Sequence, residues 1–296
     1  MSPVISVCVL SWNHAPYVVQ CLQSICQQTF SNLEIVYLDN HSSDHTFDVA
    51  QAFLEKQHVS FQAFKRESPC GIAANFNWLL KRARGRYACI ISADDWMAET
   101  NIAAKVSKIA ADDTIAVVYS EAFTFYDDTQ ELVEQRGERR YEGYVFDELI
   151  KGNFLVAPGV LLDVTKAHEV GGFNEDLLIE DWDLWIRLSQ RYKIGFVNDF
   201  LVYYRRHASN MSQASNPTYI QGMLQTIERY RDHRYYKSGK QEIVYQQFLH
   251  LTRERPGLKN IFDTLKVQDG SVYRFAILKH NFLKLFGLLR KPKVTH

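Results

Sequence analysis

The chain has 296 residues, of which 46% are hydrophobic, and it carries 34 basic and 34 acidic side chains for a formal net charge of zero. That length fits one large α/β domain or two smaller ones, with apolar content ample for a full core. Neutrality argues against a chain-wide footprint for nucleic acid, and no segment approaches the roughly 20 apolar residues needed to cross a bilayer.

Residues 4–10 form a short β-branched run, hence a strand. Ser11-Trp12-Asn13-His14 breaks it, Pro16 suits a first helical turn, and Val18, Leu22, Ile25 and Cys26 follow at helical spacing. A second strand over 33–38 stops at the turn-forming cluster Asp39-Asn40-His41-Ser42-Ser43-Asp44. A helix over 46–56, a strand over 59–64 and a helix over 71–84 come next. Residues 87–92 are an apolar strand that ends at two adjacent carboxylates, Asp94 and Asp95. A helix over 101–111 and a strand over 115–120 close the series. Strands alternating with helices imply an α/β fold, a mostly parallel twisted sheet with helices on both faces.

The middle changes character. Residues 126–144 are polar, charged and aperiodic, and read as a mobile loop. Residues 154–163 are strand-like with a break at Pro158-Gly159, and Gly171-Gly172-Phe173 is a turn. A helix is expected over 179–190 and a last strand over 196–204, ending in Arg205-Arg206-His207. From about residue 216 the pattern is helical and reads as an appendage.

Three strand ends gather polar groups: Ser11-Trp12-Asn13, residues 39–44, and residues 92–95. In a parallel sheet they share one edge and can surround one ligand. Asp39 can accept from a nucleobase imide or a ribose hydroxyl, or it can stabilise its own turn. Asp94 and Asp95 can hold a divalent cation and through it a diphosphate, or one of them can cap the helix that follows. Neither a G-x-G-x-x-G nor a P-loop is present, so a nucleotide here is held by side chains and a metal. In Glu180-Asp181-Trp182-Asp183-Leu184-Trp185, Asp181 shares a helical face with Leu184, Trp185 and Leu188. A carboxylate on that face either offsets the helix dipole or serves as a general base. Trp182 and Trp185 can offer a stacking face to a sugar, although at least one belongs to a core. The basic trio at 205–207 can face a diphosphate, with His207 as a phosphate contact or metal ligand.

These segments resemble the family 2 inverting glycosyltransferases of the GT-A fold. The carriers are VISVCVLSWNHAPYVVQCLQSICQQT, LEIVYLDNHSSDHT, GIAANFNWLLKRARGRYACIISADDW, GGFNEDLLIEDWDLWIRLS and VYYRRHASNMS, in consistent order over residues 4–212. The resemblance implies a transferase domain over 1–215, with a nucleotide-sugar half (1–120) and an acceptor half (121–215), followed by a helical extension over 216–296. It implies that Ser11, Trp12 and Asn13 line the nucleotide, Asp39 binds the base and Asp44 supports that turn. Asn77 would sit by the donor sugar, Asp94 would coordinate Mg2+ or Mn2+, Asp95 would face the donor, and His207 would approach the diphosphate or metal. Asp181 would be the base, with Glu180 its neighbour and Trp182 on the acceptor side. Two positions depart from the family pattern: Ser92 stands where the metal motif begins with Asp, and His41 replaces a turn glycine. The implied partners are a nucleotide sugar, UDP-linked in preference, and a saccharide or lipid-linked saccharide acceptor in surface polysaccharide synthesis. A sugar nucleotidyltransferase is the rival enzyme, but LSWNHAPY lacks its glycine-rich basic loop; a catalytically degenerate nucleotide-sugar-binding scaffold is the non-enzymatic reading.

The five cysteines, Cys8, Cys21, Cys26, Cys70 and Cys89, have no ligand or redox spacing and read as core residues of a reducing compartment. The start lacks the features of a signal peptide, so a cytoplasmic protein is expected. Near the C-terminus Phe275, Leu278, Phe282, Leu285 and Leu289 make an apolar stripe accompanied by six basic residues and no acid. That pattern suits either a peripheral helix on an anionic membrane or a helix packed on the protein.

Overall fold

Every residue of the first strand, β1 (Ile5–Ser11), is buried, as a strand covered on both faces must be. The computed structural model describes residues 5–135, 140–208, 210 and 217–254. After β1 come α1 (Val18–Cys26), β2 (Leu33–Asp39), α2 (Thr46–Leu54), β3 (Ser60–Lys65), α3 (Ile72–Leu80) and β4 (Tyr87–Ser92). Next are β5 (Trp96–Met97), α4 (Asn101–Ala110), β6 (Ile115–Tyr126), β7 (Glu131–Gln135), α5 (Phe146–Lys151) and β8 (Val160–Asp163). The described chain closes with α6 (Val164–Glu169), α7 (Glu180–Ser189), β9 (Lys193–Arg206), α8 (Pro217–Glu228) and α9 (Tyr236–Glu254).

The strands form one sheet in the order β3-β2-β1-β4-β8-β6-β9-β5, with β7 paired to β6. The first four run parallel, and Ser11 lies beside Asp39 while Leu10 lies beside Ser92. All three polar strand ends therefore do share one edge. The second half is mixed. The strand expected at 115–120 does not join the parallel series, because β8 inserts antiparallel between β4 and β6. β6 also runs on to Tyr126, with register shifts on either side of Glu121, and turns at Gln130 (φ 58°) into β7. Part of the expected loop at 126–144 is thus a β-hairpin. Its alternation escaped the sequence reading because neither face of β7 is deeply buried.

The turn into β8 needs a glycine. Gly159 has φ +67°, and a Cβ there would lie 2.5 Å from a Val202 methyl. Its carbonyl accepts from the buried Lys105 Nζ at 2.8 Å, and burial lowers that lysine's pKa to about 7. Neither Asp94 nor Asp95 caps α4, whose N-cap is Thr100.

The described residues divide into two compact units, the first drawn from 5–135, 140–146, 154–176 and 180–207, the second from 147–153, 177–179, 208, 210 and 217–254. The sheet belongs to the first. Within the second, Asp147 pairs with His233 at 3.1 Å and with Arg234, and the Lys151 ammonium lies 4.2 Å from the Tyr235 ring centroid. Ile220, Ile227, Ile243 and Val244 are buried there. The expected C-terminal amphipathic helix lies outside the described residues. Among those described, no helix is long and apolar enough to cross a membrane.

Candidate active site

The loops after β1 and β2 are laced together by hydrogen bonds. Asp39 is fully buried; its Oδ1 accepts from the Ser42 amide at 2.8 Å, and its Oδ2 from Ser42 Oγ at 2.5 Å and Ser11 Oγ at 3.0 Å. Asn13 Oδ1 accepts from the Ser43 amide at 2.9 Å, and Asp44 accepts from the amides of Ala15 and Thr46 at 3.2 and 3.0 Å. Burial alone would raise the Asp44 carboxyl, but these bonds and the Thr46 hydroxyl hold it below the usual carboxylate range. Asn13 and His41 both adopt the left-handed backbone conformation, with φ 56° and 61°. His41 therefore occupies a glycine-type position at the cost of a strained turn. Ser11, expected to line the nucleotide, is buried with its hydroxyl also 2.6 Å from the Tyr37 hydroxyl, so it supports the loop from beneath. Trp12, 47% exposed, is the large ring of this loop left open to solvent.

At the end of β4, Asp94 meets two imidazoles. Its Oδ2 lies 3.1 Å from His207 Nε2 and 3.8 Å from His14 Nε2, and the ligand atoms of the three residues fall within 4.8 Å of one another. Burial would raise the Asp94 carboxyl, yet the His207 hydrogen bond, the His14 field and a hydrogen bond with Ser92 hold it below the usual range. Burial pushes His14 the other way, toward the neutral imidazole. His14 was missed from the sequence because a lone histidine before a Pro turn carries no ligand spacing. The available signal was its place beyond a strand that neighbours the Asp94 strand in a parallel sheet.

Two expectations fail here. Asp95, expected to face the donor, is 2% exposed and turns inward, where its Oδ1 accepts from the Arg205 amide at 2.8 Å. Burial, and then the charge of Asp94, push its carboxyl well above the ordinary range. Arg205 does not face a diphosphate either. Its guanidinium donates to the Asp94 carbonyl at 2.9 Å, to Asp127 at 2.7 Å and to Gln20, and lies between 4.6 and 5.1 Å from the Tyr17, Trp96 and Phe125 ring centroids. It clamps the Asp94 loop from behind.

The start of α7 is built from the Gly172 turn. Asn77 Nδ2 donates to the Phe173 carbonyl at 2.8 Å and to Glu175 at 2.8 Å, while its Oδ1 accepts from the Phe173 amide at 2.8 Å. Asn77, expected beside the donor sugar, is thus committed to the turn. Gly172 has φ +69°, and a Cβ there would sit 2.7 Å from the Asn77 carboxamide oxygen. Arg187 donates to the carbonyls of Val170 and Gly172 (the latter at 2.7 Å) and pairs with the buried Asp183 at 2.7 Å. Held this way, α7 presents Glu180 and Asp181 in its first turn, both half-buried. Asp181 Oδ1 accepts from the Trp182 amide at 2.6 Å. Burial raises both carboxyls above the ordinary range, and the Asp181 charge raises Glu180 further. Trp182 is fully buried, as is Trp185, so neither offers a stacking face to an acceptor. The bulk of the indoles is spent on the core.

Residues 6–162 match the family model for glycosyl transferase family 2. The glycosyltransferase GlyG of Streptococcus pneumoniae is 28% identical over 71% of this chain and 73% of its own length. Among solved structures, TarS 1–349 of S. aureus in complex with UDP-GlcNAc superposes with a TM-score of 0.66 at 16% identity, over 89% of this chain and 76% of that one. The mannosyltransferase PcManGT of Pyrobaculum calidifontis, in complex with GDP-Man and Mn2+, gives 0.64 at 15% identity over 96% and 81%. The architecture is that of the GT-A glycosyltransferases.

Proposed function

The chain belongs to glycosyl transferase family 2, and from that premise we propose that it is an inverting transferase moving a sugar from a nucleotide donor to a hydroxyl of a glycan or lipid-linked saccharide. The donor we favour is UDP-linked, and the setting is the synthesis of a surface polysaccharide such as O-antigen, capsule or exopolysaccharide. The observation that carries the reading is the pair of raised, half-buried carboxyls opening α7. A carboxylate whose pKa is lifted toward neutrality is a better general base than an ordinary one.

In this mechanism Asp181 takes the proton of the acceptor hydroxyl. The acceptor oxygen then bonds to the anomeric carbon from the face opposite the nucleotide. The bond from that carbon to the diphosphate oxygen breaks, its electron pair leaves with the nucleoside diphosphate, and the configuration inverts. No covalent enzyme intermediate is needed, so one base suffices. Burial and mutual repulsion favour keeping a proton on the Glu180–Asp181 pair, which spares it a second adjacent charge. Trp12 would stack on the base, while Asp39, Asn13 and Asp44 hold the loop that carries it. Asp94 and His207 would hold Mg2+ or Mn2+, which when bound supplies a Lewis acid for charge on the departing diphosphate.

The test is thermal stabilisation of the protein by UDP, UDP-sugars and GDP-mannose, each with and without Mn2+. Ligand at about 100 times its Kd stabilises the folded state by about 2.7 kcal/mol, a readily measured rise in Tm. A rise with uridine ligands that grows with Mn2+ is expected. No rise with any nucleotide would overturn the proposal and leave the fold without its donor site.

A further inference from the structure

We propose that His14 completes the cation site, making a centre of two histidines and one carboxylate that prefers Mn2+ or Co2+ to Mg2+; this rests on the transferase reading above. Asp94 brings one carboxylate to the cluster. The adjacent acid is turned away to the Arg205 amide, and Ser92 brings only a hydroxyl bonded to Asp94. Magnesium is a hard ion that favours carboxylates, phosphates and water, whereas imidazole suits later first-row metals. One carboxylate and two imidazoles therefore tilt the choice toward the transition series.

His14 stands where a ligand should. Its Nε2 approaches Asp94 Oδ2 to 3.8 Å, too far for a hydrogen bond and close enough for two donors on one ion. Two donors with bonds of about 2.1 Å cannot lie more than about 4.2 Å apart, so the 4.8 Å bound on the cluster asks for only a small closing movement. The other nitrogen, Nδ1, is buried with no hydrogen-bond partner among the described residues. Ordinary hydrogen bonding leaves this dry nitrogen of a part-buried imidazole unanswered. Its backbone is fixed as well. Asn13 turns the chain with φ 56°, the His14 amide donates to Thr46 Oγ1 at 2.8 Å, and the His14 carbonyl accepts from the amides of Tyr17 and Val18, each at 2.9 Å. Tyr17 in turn packs its ring 5.0 Å from that of His207.

Pulsed electron paramagnetic resonance of the full-length protein loaded with Mn2+ counts the coupled imidazole nitrogens. Two are expected; one would remove His14 from the site. Calorimetric titration with MnCl2, CoCl2 and MgCl2 should rank Mn2+ and Co2+ at least ten-fold above Mg2+, and an equal or inverted order overturns the proposed selectivity. Loss of outer-shell partners alone costs about 10–100-fold in metal affinity, so His14→Ala should weaken Co2+ at least ten-fold while leaving Mg2+ little changed. Unchanged Co2+ affinity in a folded variant overturns the assignment; should the variant fail to fold, the nitrogen count on the wild type decides. UDP stabilisation measured in chelator separates the two levels. If UDP binds there but Mn2+ shows one nitrogen, this inference fails alone. If UDP does not bind with or without added Mn2+, the donor-site reading fails instead.

Discussion

Aspartates read alike along the sequence, yet two regions of the molecule use them in opposite ways. Asp39, at the end of β2, is fully buried and satisfied by one amide and two hydroxyls, so its charge is spent on holding a loop. Asp181, at the start of α7, accepts from the Trp182 amide beside a second carboxylate, and burial lifts it above its ordinary range. The number of donors around a carboxylate, more than its burial, separates one whose charge is fully answered from one lifted toward protonation. Asp94 lies between the two: buried, but answered by two imidazoles whose nitrogens are themselves metal ligands by chemistry.

The contrast can be broken by substitution. Asp181→Asn should cost about 10²–10⁴-fold in kcat, the usual yield of general-base catalysis, with the near-ultraviolet circular dichroism unchanged. Full turnover in that variant would put the base elsewhere. Asp39→Ala should act on stability first, losing about 3 kcal/mol in urea unfolding because three donors lose a charged acceptor. A loss below 1 kcal/mol would mean that the loop does not depend on it. Asn77→Ala should cost about 1–2 kcal/mol by untying the Gly172 turn, and lower kcat through misplacement of α7 while donor KM stays put. A raised donor KM with stability intact would instead return Asn77 to the sugar.

The smallest effect is the pH dependence at Glu180. Its carboxyl is raised in the folded protein, so the folded state keeps that proton to higher pH than the unfolded chain does. Any stability it contributes is therefore full below the unfolded value and is lost as pH rises through the folded one. Glu180→Gln should match the wild type at pH 4 and exceed its Tm by a few degrees at pH 8. A difference that does not change between those pH values would show that the pair is not strained by charge.

Local patterning carried much of this protein. Hydrophobic runs broken by polar clusters placed β1, β2, β3 and β4 and the helices between them, because burial on both faces of a parallel sheet leaves a continuous apolar signature. The same logic put the three polar strand ends on one edge and singled out Asp94, His207 and the Glu180-Asp181 pair. What the pattern could not carry was partnership. β8 slips between β4 and β6 because strand order is settled by pairing across long loops. Trp182 went to the core, Asn77 to the Gly172 turn, Asp95 to the Arg205 amide and the Arg205 guanidinium to the Asp94 carbonyl and Asp127. His14 reached Asp94 only because two neighbouring parallel strands end at the same height. A periodicity records which side of an element is dry; which polar atoms meet there is decided by contacts between residues far apart in the chain, and only the folded structure brings those together.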